Sequence, residues 1–525
     1  MKIKVTTTSS DVPSPFVTQH GADVIGVLSG FDRLRLMATL RPLYQPSLMM
    51  RYLSRTGVLL KDFAAFAALW TERVRAAAHQ LAEQSGRPLT YLHGSSQRKE
   101  LLARDQARHD GLSVGLIGIW SVVEPCLTYF VRRDREQKQL VLRLEPGKCL
   151  HYYFYFLHEQ LGLLHLRLQT WFPFAIHACI NGRHWLASQL DQAGIGYVQR
   201  ENCFTWLEDV AKAQALARAQ LQSRWPTLLQ PLVEQCHPHA AELCRPLALA
   251  YYWSVTESEY ATDVMFKDAS SLAGLYPALL DHAIRRLGCH DVLRFLGRRT
   301  TPRRFVGEAS TSLLTREEGT RVKHWAEENS IKMYDKQGSV LRIETTINNV
   351  RRFKVRRMTV RKGVRRMRWI PMRFGLADLV RRVEVSRAAN ERYLQALAEV
   401  NVPTPVRPLL DGVGRRMVKE NRAYRALRPV SREEAEVFQA VLDGRFLVRG
   451  FTNRDLRQAL WPRPPDSQQQ HRQSGQMTRL LRLLRAHGMI RKVSGTRYYR
   501  VTSQGHKTMS AALILREADV TKLAA

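Results

Sequence analysis

Residues 331–369 read "IKMYDKQGSVLRIETTINNVRRFKVRRMTVRKGVRRMRW". From Ile331 to Asn348 apolar and polar residues alternate about Gln337-Gly338, the pattern of a β-hairpin. Successive side chains of a strand point to opposite faces. Ile331 and Met333 therefore share one face with Leu341, Ile343 and Ile347. Lys332, Tyr334 and Lys336 share the other with Arg342, Glu344, Thr346 and Asn348. A cationic tract follows, with eleven basic residues and no acid between Arg351 and Arg373. Phe353, Val355, Met358, Val360, Val364, Met367 and Trp369 are spaced among those cations, which predicts a folded β-ribbon and not a disordered tail.

Working outward, the chain has 525 residues, and its 81 Lys and Arg outnumber 47 acids for a net charge of +34. Such an excess repels itself unless a polyanion compensates it, and phosphate backbones are the commonest polyanion. There is no apolar run near the roughly 18 residues that a membrane helix needs. The opening "MKIKVTTTSSDVPSPF" lacks the apolar core of a signal peptide. No membrane partner and a cytoplasmic location are the expectations. Cysteines at 126, 149, 179, 203, 236, 244 and 289, without any C-x-x-C, read as reduced thiols. In "CHPHAAELC", Cys236, His237, His239 and Cys244 are zinc-ligand types at a spacing that fits no finger or knuckle pattern, so a helix-connecting turn is the simpler reading.

The expected fold class is α+β and multidomain: a strand-rich basic body with helical segments, then a C-terminal winged-helix domain. Residues 1–205 form an α+β N-terminal domain in this reading, with helix from Phe31 to Gln84. Strands are expected in "LSVGLIGIWSVVEPCLTYFVRR", "KQLVLRLE", "KCLHYYFYFL" and "LGLLHLRLQTWF". Residues 206–300 form a helical region that includes "YYWSVTESEYATDVMF", where Glu259 and Asp263 are four apart on one helix face. Residues 301–400 hold the basic ribbon and a following helix. No internal repeat is evident.

Residues 430–525 are the most readable. Ser431 and Glu434 have capping-box spacing, and Thr452 is placed to cap a second helix. A third helix, "QMTRLLRLLRAHG", precedes a basic hairpin, "MIRKVSGTRYYRVTSQG". With its "L-L-x-x-H-G-M-I" and "Y-x-V-T-x-x-G" punctuation, this region resembles the winged-helix domains of MarR-type bacterial regulators. The resemblance implies a third helix in the major groove, with Gln476, Thr478 and Arg479 at base edges and Arg482 at the backbone. Arg491, Lys492, Arg497 and Arg500 on the wing would meet phosphates. Winged helices also serve protein contact. The rest of the chain, through "GFDRL", "VEPC", "QTWFPF", "NCFTW" and "KMYDK…LRIETTIN", resembles uncharacterised bacterial proteins, a resemblance that implies no activity.

Two polar strand faces are candidate sites. On the first, Lys332, Lys336 and Arg342, with Arg351, Arg352, Lys354, Arg356, Arg357, Arg361, Arg365 and Arg366 beyond, are expected phosphate contacts. Glu344, with Asp335 or Glu308, would hold a divalent metal, and Tyr334 would attack a phosphodiester or stack on a base. "TRVKHWAEEN", as a neighbouring strand, would bring Arg321 and Lys323, or His324, beside them. "KMYDK…LRIE" also resembles strand pairs of some rolling-circle replication initiators, whose tyrosine attacks DNA. Their His-hydrophobe-His metal motif has only "HLRLQ" at His165 as its counterpart here. The other reading of these residues is a solvated face with Glu344 paired to Lys332 or Arg342. On the second face His151, Tyr153 and Tyr155 stand beside His165, Arg167, Gln169 and Trp171, which suits base stacking or an aromatic core. No phosphate-cradling Gly-rich loop, G-x-S-x-G or H-E-x-x-H occurs.

These readings combine into a DNA-binding protein, with a mobile element as one origin, that binds nucleic acid through both modules, or, in another reading, into a structured-RNA-binding protein. The alternative is a metal-dependent nuclease or strand-transfer enzyme acting through Tyr334, Glu344 and His324. A cofactor, a divalent metal, is implied only by that alternative.

Overall fold

The computed structural model describes residues 14–94, 96–297, 309–316, 319–361, 363–400, 406–446, 450–462, 466–493 and 495–518. They form two compact units within a multidomain α+β chain. The larger draws on residues up to Leu280, Phe295–Gly297 and Ser310–Leu397, and the smaller on Asp281–Arg294 and the chain from Ala398. No described helix is long and apolar enough to cross a membrane.

An eleven-stranded sheet organises the larger unit. Its strands are β1 (Val24–Thr39), β2 (Leu89–Tyr91), β3 (Gly115–Asp134), β4 (Gln139–His158), β5 (Gly162–Gln169) and β6 (Ile176–Asn181). After a small separate pair, β7 (Tyr197–Arg200) and β8 (Cys203–Leu207), come β9 (Tyr252–Phe266), β10 (Ala309–Arg316), β11 (Gly319–Ala326), β12 (Asn329–Lys336) and β13 (Val340–Ile347). Across the sheet the order is β10-β11-β12-β13-β9-β1-β6-β5-β4-β3-β2. Strands from all three expected segments, 1–205, 206–300 and 301–400, therefore share a sheet and are not separate domains.

That order contains a repeat. β1 is followed by helices and the meander β3–β6, whose last strand returns to pair with β1, and the helix Gly182–Gln192 comes next. β9 is likewise followed by helices and the meander β10–β13, whose last strand returns to β9. The helix Leu379–Leu397 closes this half. β1 and β9 pair antiparallel at the middle, so the second half repeats the first in the opposite direction. Among the described residues β2, parallel to β3, has no counterpart in the second half, and one element of the second half has none in the first. Strands β14 (Lys354–Arg361) and β15 (Val364–Pro371), the cationic tract, form a ribbon of their own, inserted between the second meander and its helix.

The two central strands are the main correction to the sequence reading, which made both helical. β1 and β9 are bulged, with register shifts between Val24 and Gly26, Phe31 and Arg33, and Arg35 and Leu36. Each bulge resets the alternation of faces, so neither strand carries an unbroken period of two. Helices do occupy Pro46–Arg55 and Phe63–Ser85. The apolar sheet face packs Leu34, Phe154, Leu164 and Ile180 in a core with Phe63, Trp70 and Val74 of the second of these helices. In the other half Asn390, on the closing helix, donates to the carbonyl of Tyr260 and accepts from Thr345 Oγ1.

In the smaller unit, helices Arg432–Val441, Asn453–Leu460 and Ser467–Ala486 precede a hairpin, and helix Ser503–Glu517 follows it. In chain order this unit adds β16 (Met417–Lys419), β17 (Arg422–Tyr424), β18 (Ile490–Lys492) and β19 (Tyr499–Val501), and Phe451 bridges to Tyr499. Ser431 and Thr452 cap their helices as expected. The terminal Gly of "Y-x-V-T-x-x-G" has a steric cause: a Cβ on Gly505 would lie 1.9 Å from the carbonyl oxygen of Met489. Thr502 caps the last helix through the amide of Gly505 and donates to the carbonyl of Gly488.

Candidate nucleic-acid interface

The hairpin of 331–347 forms in the expected register. Gln337 and Gly338 turn with φ of 55° and 72°, and Lys332 stands opposite Glu344, Tyr334 opposite Arg342. Both faces carry the expected residues. What sequence reasoning missed is the neighbour. Glu259, Ala261 and Asp263 of β9 share the polar face, with Asp263 opposite Arg342. Glu259 and Asp263 do share a face, because a separation of four satisfies the period of a strand as well as that of a helix.

A buried ion network results. Arg342 is fully buried and holds Asp263 by two bonds (Nε to Oδ1 2.7 Å, Nη2 to Oδ2 2.9 Å), Asp32 at 2.7 Å and the Asn202 carbonyl at 2.6 Å. Arg183, also fully buried, lies 2.8 Å from Asp263. Lys332 Nζ bridges Glu344 at 2.6 Å and Glu259 at 2.8 Å. Burial alone would raise the Asp263 carboxyl, but Arg183 and Arg342 hold it below its usual value. Glu344 is pushed up to about 7, by burial first and by the nearby Glu259 and Asp32 charges, against the pull of Lys332. Tyr334 is raised by burial first and then by Glu344, which keeps its hydroxyl protonated.

Several expected roles change here. Lys332 and Arg342 are buried, their donors engaged by carboxylates and carbonyl, and cannot meet phosphates in this arrangement; Lys336 is buried as well. The pairing of Glu344 with Lys332 does form, but inside the protein and not on a solvated surface. An ammonium sits between the carboxylates of Glu344 and Glu259, where a metal would have to be held. His324 points to the opposite face, since it pairs with Ile331, and it bonds Thr311 and Tyr393 at 2.9 Å each. Strand parity leaves Arg321 and Lys323 on the face with Tyr334 and Lys332. Glu308 lies outside the described residues.

The second polar face is the same face. His151, Tyr153 and Tyr155 stand opposite Gln169, Arg167 and His165. Across β6, His165 meets Cys179 and Arg167 meets His177, and β1 then presents Arg35 and Arg33 beside Glu257 and Glu259. One polar surface thus runs through both halves of the sheet. Its side chains grade from buried Tyr153 to half-exposed Arg33 and Arg35, at 34% and 47%. Arg33 and Arg35 were legible as the alternation "DRLRLM". Trp171 leaves this face, packing edge-on to Phe63 while its indole donates to the Tyr129 carbonyl. The four residues of "CHPHAAELC" do not converge: His237 stacks on Phe174, and His239 faces Arg73.

The ribbon presents its cations differently. Arg351, Arg352, Lys354, Arg356, Arg365 and Arg366 are exposed, though Arg352 has Glu327 at 3.2 Å. Arg357 is partly covered and pairs with Asp378, and the Arg361 side chain is outside the described residues. Cross-strand pairs Arg356 with Trp369, Met358 with Met367 and Val360 with Arg365 share one face. On it Met358, Val360, Met367 and Trp369 are 55%, 63%, 47% and 57% exposed, so the ribbon buries no core on this side.

In the smaller unit the third helix starts at Ser467, capped by Asp466, nine residues before the expected Gln476. Its first six residues are all exposed and have no apolar period to signal them. Gln476, Arg479 and Arg482 are exposed, but they lie at the middle of the helix and beyond it, not near its start. Thr478 is turned inward, donating to the Ser474 carbonyl and accepting from Asn453, and is not free for base edges. Arg491, Lys492 and Arg497 are exposed; Arg500 is half-buried opposite Arg491. The chain matches no family model, no curated protein and no solved structure.

Proposed function

We propose that this is a cytoplasmic nucleic-acid-binding protein, DNA being the favoured target, that grips phosphate with its inserted ribbon and reads duplex with a C-terminal winged helix. The observation that carries the reading is the contrast between two sets of cations. Lys332 and Arg342 of the sheet are buried among carboxylates. Lys354, Arg356, Arg365 and Arg366 of the ribbon lie open beside exposed Met, Val and Trp side chains, on an insertion that the first half of the sheet lacks. Exposed cations attract phosphate, and exposed Trp369 offers a surface for stacking a base. The order of helices, Phe451 bridge and hairpin in the smaller unit supports the winged helix, with Gln476, Arg479 and Arg482 as its reading residues.

The test is a binding titration of the full chain against duplex DNA, single-stranded DNA and structured RNA at several salt concentrations. If ~6–10 cations meet phosphates, affinity falls by roughly 10³–10⁵ between about 50 and 200 mM salt. Affinity indifferent to salt would overturn the reading, and preference for structured RNA would move the target.

A second reading, a nuclease or strand-transfer enzyme built on Tyr334, has one observation in its favour: Glu344, on the same face, is held near neutrality. The protonated tyrosine and the lysine between the carboxylates weigh against it. Nicking of plasmid with Mg²⁺ or Mn²⁺, abolished by Glu344→Gln without loss of binding, would establish it.

A further inference from the structure

Outside the ion network and among the described residues, one cluster gathers metal-ligand side chains. Cys126 Sγ lies 3.3 Å from Cys149 Sγ, and Cys149 Sγ lies 4.0 Å from His151 Nδ1. Potential donor atoms of the three residues all fall within 4.8 Å of one another. The cluster is a product of register. β3 and β4 set Glu124 opposite Cys149 and Val122 opposite His151, so Cys126, Cys149 and His151 share the polar face with Glu124. Both thiols are half-buried and unlinked, and the imidazole is fully buried. The sequence gives no hint of this site, because 23 residues separate Cys126 from Cys149.

We infer that Cys126, Cys149 and His151 bind one zinc ion. Thiolate ligands at about 2.3 Å and imidazole at about 2.0 Å from a tetrahedral ion lie roughly 3.5–3.8 Å from one another. The observed separations bracket that range, so small side-chain rotations would complete the set once His151 Nδ1 leaves the Cys149 carbonyl, 3.1 Å away, and the ring carries its proton on Nε2. Two thiols and an imidazole suit a thiophilic ion such as zinc and are poor ligands for magnesium or calcium. Binding replaces two S–H protons with one Zn²⁺, releases both protons to solvent, and leaves the site with the net charge it began with. That balance matters here, because Arg167 stands 3.4 Å from His151 Nε2 and would oppose an added positive charge. Glu124, 3.6 Å from Arg167, offsets it further. Three protein ligands leave a fourth position for water or another donor on the polar face.

The experiment loads the reduced full-length protein with zinc, removes excess by dialysis and measures bound metal. Retention of one zinc per chain is expected, with loss in Cys126→Ser and Cys149→Ser and weakening in His151→Gln. Cys236→Ser/Cys244→Ser should retain it. Cobalt substitution should give a thiolate-to-metal charge-transfer band that the first two variants lack. Should those variants fail to fold, alkylation of the wild-type chain decides: zinc must shield Cys126 and Cys149 selectively. The inference is overturned if no metal is retained, if the cysteines alkylate equally with and without zinc, or if the pair isolates as a disulfide that takes up no metal after reduction.

Discussion

Arg342 illustrates how far one side chain's role depends on what packs over it. The sequence put it on a polar strand face, where a phosphate contact was reasonable. It does lie on that face, yet Asp263, Asp32 and Asn202 close around it, and none of the three is near it in sequence. Removing one partner from a buried pair leaves the other charge stranded in a poor solvent. Arg342→Met is therefore expected to cost about 3–5 kcal/mol, read as a lowered denaturant midpoint. Arg342→Lys should recover part of that, because an ammonium cannot make the two-pronged contact with Asp263. An unshifted midpoint for the methionine variant would show that the network does not hold the sheet. The histidines make a second residue-level prediction. Burial holds His165, His177 and His237 down to about 3, and His151, His184 and His324 to about 4, with Arg167 adding to the effect at His151 and His177. Below about 6.5 the unfolded chain takes up protons at these positions while the folded chain refuses them, so stability must rise with pH between about 4 and 6.5. The stabilisation is complete above that window and is lost as pH falls through it. Glu344, raised to about 7, contributes with the opposite sign above its ordinary 4.5, but it is one group against six. Denaturation midpoints at pH 7 and pH 5 check the sign, and greater stability at pH 5 would contradict the burial of these rings.

Among elements, the sequence reading succeeded in β12 and β13, where alternation was unbroken, and failed in β1 and β9, where bulges interrupted it. β12 and β13 keep strict alternation about a Gln-Gly turn, and their faces and register could be written down in advance. β9 places Glu257, Glu259 and Asp263 in a strand, where acids are disfavoured, and a bulge resets its faces near Val255. The neighbouring strands make those carboxylates tolerable: β1 supplies Arg35, β13 supplies Arg342, and Lys332 reaches across from β12. A partner 79 residues away in sequence is invisible to a local pattern. The ribbon needed no such partner to be recognised, because cations interleaved with apolar residues already described an exposed, two-sided strand pair. This independence gives the element-scale prediction. Lys354, Arg356 and Arg365 share the face of Met358 and Trp369 and are exposed, so Lys354→Gln/Arg356→Gln/Arg365→Gln should leave thermal stability unchanged. If each meets a phosphate, the slope of log affinity against log salt should flatten by about 0.9 per cation for duplex DNA. Trp369→Ala should weaken single-strand binding by about 1–3 kcal/mol per stacked base and leave that slope alone. A triple variant whose salt slope matches the unaltered protein would remove the ribbon from the interface.

At the scale of the whole molecule, the proposed function would divide a surplus of 34 positive charges between recognition and general attraction. The ribbon has cations and apolar side chains but few groups that could discriminate base edges, so its contribution should be nearly the same for every duplex. The helix Ser467–Ala486 carries Gln476, Arg479 and Arg482 on its exposed side, and amide and guanidinium groups do form base-specific pairs in a major groove. The two modules should therefore separate in a competition assay between a selected duplex and random DNA. Deleting residues 430–525 is expected to bring the two affinities together, while the salt dependence retains the share carried by the ribbon. Restoring the segment with Arg479→Ala should recover overall affinity yet lose roughly 1–3 kcal/mol of discrimination at one base position. If the truncated chain still distinguishes the selected duplex, the reading residues lie in the sheet unit, where half-exposed Arg33 and Arg35 would be the next to substitute.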